Sequence, residues 1–464
     1  MATTDIDGDY RTNNVTVALS KQIVNGPKMR ELIARMVTKV GQGLTDGTLA
    51  GFPLLQSQYA ADPARFMGLV FGAISDFCFN MEYVRRITDA RWSYCTKAGD
   101  HRVYYPYLGV CPHCVLKGNR PVEAVLGANA LVGEEERESR ARYFGNKIES
   151  HHVGRIGERV IVYILDLLIK SKFPDATSLL VFDDQHDVDA AFFFEGLGII
   201  TQIKASPLIL LPVMSVMNAP MTEGVSGETG LPLQKRDHTF AGFTSSDHEL
   251  NLYFSTDDTF LPIGKRSGQD WPYAPLIGAL DQASVFKIIN NWLTIYMAFE
   301  VPKRLRTGDD KKKAWLTSGW GAPIDDNKTK AGLARSDNMM KGTYASLKYG
   351  AYYVQECQRR TLKTALVANI DPVHQYADYL EKLEDIRWAH NKDFKPNQNG
   401  DETASYTIAK DRLTFLFDSV FTFNRQIMND PVLADAWDLG GFIKKLIDGS
   451  ATKTLDSWSG YSAA

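Results

Sequence analysis

Cysteine is scarce in this chain and net charge is nearly absent. Five cysteines in 464 residues is an odd and sparse set. It argues against a disulfide framework and points to reduced thiols. A formal charge of -3 gives no global basic field, so a nucleic-acid surface would have to be a local patch. No apolar run reaches about 18 residues, so no membrane span is expected. The opening "MATTDIDGDYRTNN" is polar and acidic. It lacks the basic and apolar parts of a secretory leader, which gives the expectation of a cytoplasmic protein. The phosphate-cradling pattern GxxxxGK[ST] is missing, which removes support for a nucleotide-hydrolysing enzyme. No internal repeat of solenoid period occurs.

What remains is an ordinary globular composition, 44% hydrophobic and 23% charged. The length predicts two or three domains. Residues 15–90 read as mostly helical. "MRELIARMVTKVGQGL" places Leu32, Ile33, Met36, Val37 and Val40 at helical spacing. "DPARFMGLVFGAISDFCFNMEYVRRI" opens with an Asp-Pro start signal and continues as a long helix. "GRIGERVIVYILDLLIKSKF" is apolar on nearly every side and predicts a buried helix. "SLLVF", then a hairpin, then "PLILLPVMSVM" follow as apolar strands. A buried helix beside such strands predicts an α/β (α+β) core. The C-terminal third turns helical again, as in "HQYADYLEKLEDIRWAH", with "NKDFKPNQNGDETAS" as a polar loop.

The informative stretch is "VDAAFFFEGLGIITQIKAS", residues 188–206. Two apolar runs flank a Glu-Gly-Leu-Gly turn, which folds the first strand back along the second. Side chains two apart share a strand face, so Gln202 and Lys204 point the same way as Ile200. Asp189 starts the opposite strand and can lie close to both. Burying an amide and an ammonium without partners is costly. Grouped with a carboxylate they form an oxygen cluster with a lysine at its edge, suited to Mg²⁺ and a substrate phosphate. On an edge strand the same residues would simply be solvated.

Asp189, followed by Gln202-Ile203-Lys204, resembles the signature hairpin of the PD-(D/E)XK nuclease superfamily. The form is that of type II restriction endonucleases in which glutamine replaces the second acid. The resemblance implies a restriction-endonuclease-like core, a mixed sheet flanked by helices, with helical N- and C-terminal regions. It implies Asp189 as the metal-binding acid, Gln202 as a metal-binding amide and Lys204 as the catalytic lysine. An amide carries no charge, so a further acid is needed. Glu158 fits, because many members carry such a glutamate on the helix before the hairpin. Asp187 shares a face with Asp189 and is the alternative acid; Asp183 and Asp184 are further candidates. Pro174-Asp175 reads better as a turn.

"YCTKAGDHRVYYPYLGVCPHC" contains Cys95, Cys111 and Cys114. The Cys-Pro-His-Cys knuckle has the spacing to hold a structural Zn²⁺. The fourth ligand stays open among Cys78, His101, His113, His151 and His152, although Cys78 lies in an apolar helix and reads better as core. Lys303, Arg304 and Arg306 lead the most basic stretch, and Lys341 and Lys348 lie in a Tyr-rich helical segment. These are the candidate DNA-backbone contacts, against the alternative of a solvated surface.

The expectation is thus a helical region (1–90), a Cys-rich module (91–120), a catalytic core (140–300) and a basic, aromatic and helical DNA-binding region (301–464). The expected activity is Mg²⁺-dependent cleavage of double-stranded DNA by a homodimer. The rivals are a modification-dependent or repair nuclease of the same superfamily, and a catalytically inactive zinc-containing DNA-binding protein.

Overall fold

A computed structural model describes residues 16–18, 26–87, 92–95, 102–105, 150–181, 188–217, 244–314, 316–317, 331–334, 336–353, 361–390, 393–396 and 406–460. After the short strand β1 (Thr16–Ala18) come three helices, α1 (Gly26–Thr45), α2 (Pro53–Ala61) and α3 (Pro63–Val84). The start of α3 is set by Asp62, whose carboxylate accepts the Arg65 N–H at 3.0 Å, and by Pro63 at the first helical position. The apolar positions read from the sequence in α1 are all buried.

Strands β2 (Ser93–Cys95) and β3 (Arg102–Tyr105) precede the helix α4 (Ser150–Lys170). Then follow β4 (Thr177–Val181), β5 (Ala190–Phe194) and β6 (Leu197–Lys204), an antiparallel meander. A second group of strands comes next, β7 (Val213–Val216), β8 (Leu250–Phe254) and β9 (Thr259–Gly264). Helices α5 (Tyr273–Ala279), α6 (Gln282–Glu300), α7 (Gly308–Ala314) and α8 (Ser336–Tyr352) lead to β10 (Leu362–Ala368). Two short ribbons pair β11 (Arg387–Trp388) with β14 (Thr414–Phe415) and β12 (Lys395–Pro396) with β13 (Tyr406–Thr407). The chain closes with β15 (Ser419–Thr422), β16 (Gln426–Met428), α9 (Pro431–Ala436), α10 (Leu439–Ile447) and α11 (Thr452–Ser459).

These elements form an α+β fold around two main sheets. The larger has seven strands in the order β1-β4-β5-β6-β10-β15-β16. β6, β10 and β15 run parallel, with Lys204 beside Ala368 and Ala368 beside Thr422. The second sheet orders β2-β3-β7-β8-β9, so the hairpin from the Cys-rich stretch joins strands more than a hundred residues downstream. The N-terminal helices, α4, α6 and the C-terminal helices share one continuous apolar core with the sheets. No helix of the described residues is long and apolar enough to cross a membrane.

One alternative is excluded and two expectations are corrected. β6 is a central strand, paired with β5 on one side and β10 on the other, so its amide and lysine do not sit on a solvated edge. "HQYADYLEKLEDIRWAH" forms no regular helix. It breaks into a 3₁₀ turn at 373–375, one π turn at 377–381 and then β11. The cause is tertiary. The Glu384 carbonyl accepts from Asn429 Nδ2 at 2.8 Å, and the Ile386 carbonyl accepts from the Leu416 N–H at 2.9 Å. Distant groups therefore take the carbonyls that a helix would have used. The stretch 208–211, expected as strand, makes only an isolated bridge at Ile209. Its backbone is clamped by α3: Asp76 accepts from the Leu208 and Ile209 N–H groups, both at 2.9 Å, and Asn80 accepts from Leu211 N–H at 2.6 Å.

Candidate active site

The β5–β6 hairpin closes through Glu195 and Gly196, both at positive φ (48° and 77°). That is the twist a two-residue hairpin needs, and it places Leu197 already inside β6. The register puts Ala190 opposite Thr201. Asp189, one residue before β5, is held on both sides. Its N–H donates to Thr201 O at 2.9 Å, and its carbonyl accepts from Val181 N–H at 3.0 Å. Period-two alternation then carries its side chain to the face of Gln202.

There the carboxylate meets three donors. Gln202 Nε2 donates to Asp189 Oδ2, the Ile203 backbone N–H donates to the same oxygen at 2.5 Å, and Lys204 Nζ lies 3.7 Å away. Gln202 is 8% exposed, and the Lys204 and Asp189 side chains are 17% and 18% exposed. Burial pushes the Asp189 carboxyl above its ordinary value, while the Lys204 ammonium and the two N–H donors pull it back. Three of the four residues read from the sequence therefore meet: the Asp189 carboxylate just before β5, and the Gln202 amide and Lys204 ammonium of β6.

Helix directions decide what else reaches this end of the sheet. α4 starts here and runs toward the hairpin turn. Gly157 lies so close to β6 that a Cβ at its position would fall 2.6 Å from Ala205 Cβ. Only glycine permits that approach without displacement, and it brings the neighbouring, half-buried Glu158 to the Lys204 end of the strand. The helix covers the opposite sheet face, the face of Ile203 and Ala205. Gln202 and Lys204 face α8, because Gln202 sits level with Leu366, and Leu366 packs against Gly342 of α8.

α8 runs antiparallel to β6 and β10, so its first turns lie at the same end. Gly332, just before α8, donates its N–H to Ser206 Oγ at 3.2 Å, and the Leu333 N–H donates to Ile370 O at 3.0 Å. Exposed Lys341 stands near this end, and exposed Lys348 lies two turns farther along. Lys303 and Arg304 are exposed too. Arg306 has a local role: Nε donates to Val301 O and one Nη to Phe299 O, both at 2.9 Å, which closes the C-terminus of α6.

Asp183, Asp184 and Asp187 lie outside the described residues, as do Cys111, Cys114, His101 and His113. Cys95 belongs to β2 by its backbone, and the side chains of Cys95, His151 and His152 are outside the description. Cys78 is a buried free thiol in α3, as read from the sequence. Among the described residues no group of three or more His, Cys, Asp or Glu side chains gathers around a potential metal position.

Sequence reading missed a second polar group at the same end of the sheet. Asn369 follows β10 and donates Nδ2 to Ser206 O at 2.6 Å. Buried Asp371 accepts Asn424 Nδ2 at 2.8 Å and lies 2.9 Å from Arg425 Nε. Asn424-Arg425 between two apolar strands was a turn signal available in the sequence.

No family model, curated protein or solved structure matches this chain.

Proposed function

We propose that the chain is a Mg²⁺-dependent DNA endonuclease of the PD-(D/E)XK type, acting like a type II restriction enzyme. One observation carries this: half-buried Asp189, just before β5, meets Gln202 and Lys204 of β6 at the C-terminal end of the parallel strands. The element order supports it. Helix α4, the meander β4-β5-β6 and, after β7 to β9 and α5 to α7, helix α8 leading to β10 parallel to β6 make a mixed sheet flanked by helices, as the resemblance implies.

The donor set suits magnesium, which takes hard oxygen ligands and is bound by one or two carboxylates plus waters and substrate phosphate. Asp189 would hold it with Gln202 Oε1, and Glu158, brought to the same strand end from the other sheet face by α4, would have to reach around the end of β6 to add the further carboxylate. When bound, the ion supplies water activation and charge stabilisation at phosphorus. The chain's own contribution is positional. The Ile203 N–H and Gln202 hold the Asp189 carboxylate in one orientation. Lys204 places an ammonium where negative charge develops on the phosphoryl oxygens. Water adds to phosphorus and the sugar 3′-oxygen leaves with a proton, giving a 5′-phosphate and a 3′-hydroxyl. A two-fold symmetric target would engage a homodimer, one hairpin per strand.

A second reading has its own observation. Asp189 is already compensated by two N–H donors and an ammonium, which is what a structural ion pair in a silent DNA-binding protein would show. Incubation of the purified protein with phage DNA in Mg²⁺, and in EDTA, separates them. Discrete fragments in Mg²⁺ alone support the nuclease. Binding without cleavage in Mg²⁺ and Mn²⁺ supports the silent protein. Cleavage confined to methylated or branched DNA identifies a modification-dependent or repair enzyme.

A further inference from the structure

The C-terminal ends of β6, β10 and β15 lie side by side, level at Lys204, Ala368 and Thr422. With adjacent strands about 4.8 Å apart, Thr422 stands roughly 10 Å from Lys204. That is about three nucleotide rises along one DNA strand. Just past Thr422, in the turn between β15 and β16, sits Arg425.

Its setting combines an ion pair with an aromatic stack. The guanidinium carbon lies 3.7 Å from the centroid of the Tyr376 ring. Nε lies 2.9 Å from Asp371 Oδ2; the Asp371 side chain is 2% exposed, whereas that of Arg425 is 48% exposed. Asp371 Oδ1 accepts from Val373 N–H and from Asn424 Nδ2, whereas its buried Oδ2 has no hydrogen-bond donor among the described residues and is faced by Arg425 Nε. Tyr376 is itself held, donating its hydroxyl to Glu384. The arginine is thus stacked on one face and anchored through Nε. Its two Nη groups donate to no described residue. A planar fork fixed on an aromatic ring with its outer donors exposed is the geometry that receives a phosphate.

The surroundings extend the same surface. His374 Nε2 lies 2.9 Å from Phe299 O, the carbonyl that also accepts from Arg306. The Tyr376 segment therefore meets the loop that exposes Lys303 and Arg304.

We infer that Arg425 contacts a backbone phosphate of the nucleic acid, in a track running from Lys204 past the ends of β10 and β15 to Lys303 and Arg304. This rests on the nuclease reading. Asp371 and Tyr376 are positioning residues, and Arg425 is a binding residue without a part in the chemistry.

The test is fluorescence anisotropy of the full-length protein with a labelled random-sequence duplex in EDTA, across about 50 to 200 mM salt. Arg425→Gln is expected to bind about tenfold more weakly, with a log K against log salt slope smaller by about one. Arg425→Lys keeps the charge and the slope but loses the fork, so its affinity falls about threefold. Circular dichroism melts check folding; if Arg425→Gln does not fold, the affinity of Arg425→Lys decides. Wild-type affinity and slope in the folded Gln variant, or wild-type affinity in the Lys variant, overturn the assignment of Arg425 and leave the nuclease reading standing. If the wild-type protein binds no duplex even at about 50 mM salt, both fail together.

Discussion

Replacing Lys204 by methionine separates a catalytic lysine from a structural one. The substitution keeps the length and apolar stem of the side chain and removes only the ammonium. At 3.7 Å from Asp189 Oδ2, the gross attraction at an effective dielectric near 20 is about 4 to 5 kcal/mol. Little of this appears in stability. The ammonium loses hydration to reach its site, and Asp189 keeps the Ile203 and Gln202 donors when it leaves. The carboxyl is already pushed upward by burial and can take up a proton instead. The net destabilisation expected is about 1 to 2 kcal/mol, a few degrees in melting temperature at most. The effect on phosphodiester cleavage should be much larger, because a transition-state donor in a partly buried site is worth about 3 to 4 kcal/mol, a hundred- to thousandfold in rate. Single-turnover cleavage of a supercoiled plasmid in Mg²⁺, beside thermal melts of both proteins, measures the two quantities. If Lys204→Met cuts within about fivefold of wild type while its melt shows the small loss, the ammonium only balances a buried charge and the proposed role is wrong.

Three further predictions concern the frame around the site. Asp76, fully buried and accepting from Leu208, Ile209 and Trp292, is raised by burial from 3.8 to about 7. Its protonated form is favoured by folding, so the stability it contributes is complete below the unfolded value and is lost as pH rises through about 7. Urea unfolding between these limits should show stability falling with pH, by up to about 1.4 kcal/mol per unit from this group, and Asp76→Asn should flatten that slope; parallel profiles would refute the assignment. Gly157→Val must push α4 away from Ala205, costing about 1 to 3 kcal/mol, and should lower cleavage more than Gly154→Ala, whose Cβ site has only Glu158 at 3.6 Å; equal melting points for the two variants would count against the close approach. Lys363 pairs with Asp430 Oδ2 at 5% and 8% side-chain exposure, while Oδ1 caps α9 through the Val432 and Leu433 N–H groups, so Lys363→Met leaves a buried carboxylate without its cation and should cost about 3 kcal/mol. The Lys363→Met, Asp430→Asn double variant removes both charges and keeps an N-cap oxygen for α9, and should recover part of that loss in a denaturation midpoint.

Much of the candidate site was legible because it is local. Alternation along residues 188–204 put Gln202 and Lys204 on one face, and a tight turn returned Asp189 beside them. The buried helix before the hairpin could be read from its apolar circumference, and the capped start of α3 from Asp62-Pro63. The polar group at 369–371 and 424–425 was not legible, since its members are some fifty residues apart and meet only because β10 and β15 pair. The failed helix at 374–390 shows the same limit: its pattern allowed a helix, and its carbonyls were claimed by Asn429 and Leu416.

The sequence alone determined which residues of each strand and helix share a face, because side-chain direction follows backbone period and needs no knowledge of neighbours. Which strand lies beside which was decided by tertiary structure. β6 became a buried centre strand only when β10, more than 150 residues later, paired along its open side. The hairpin of the Cys-rich stretch likewise found its place in the second sheet through β7. Strand pairing is a contest among distant edges for the same hydrogen bonds and the same apolar cover, and its outcome depends on the whole packed chain.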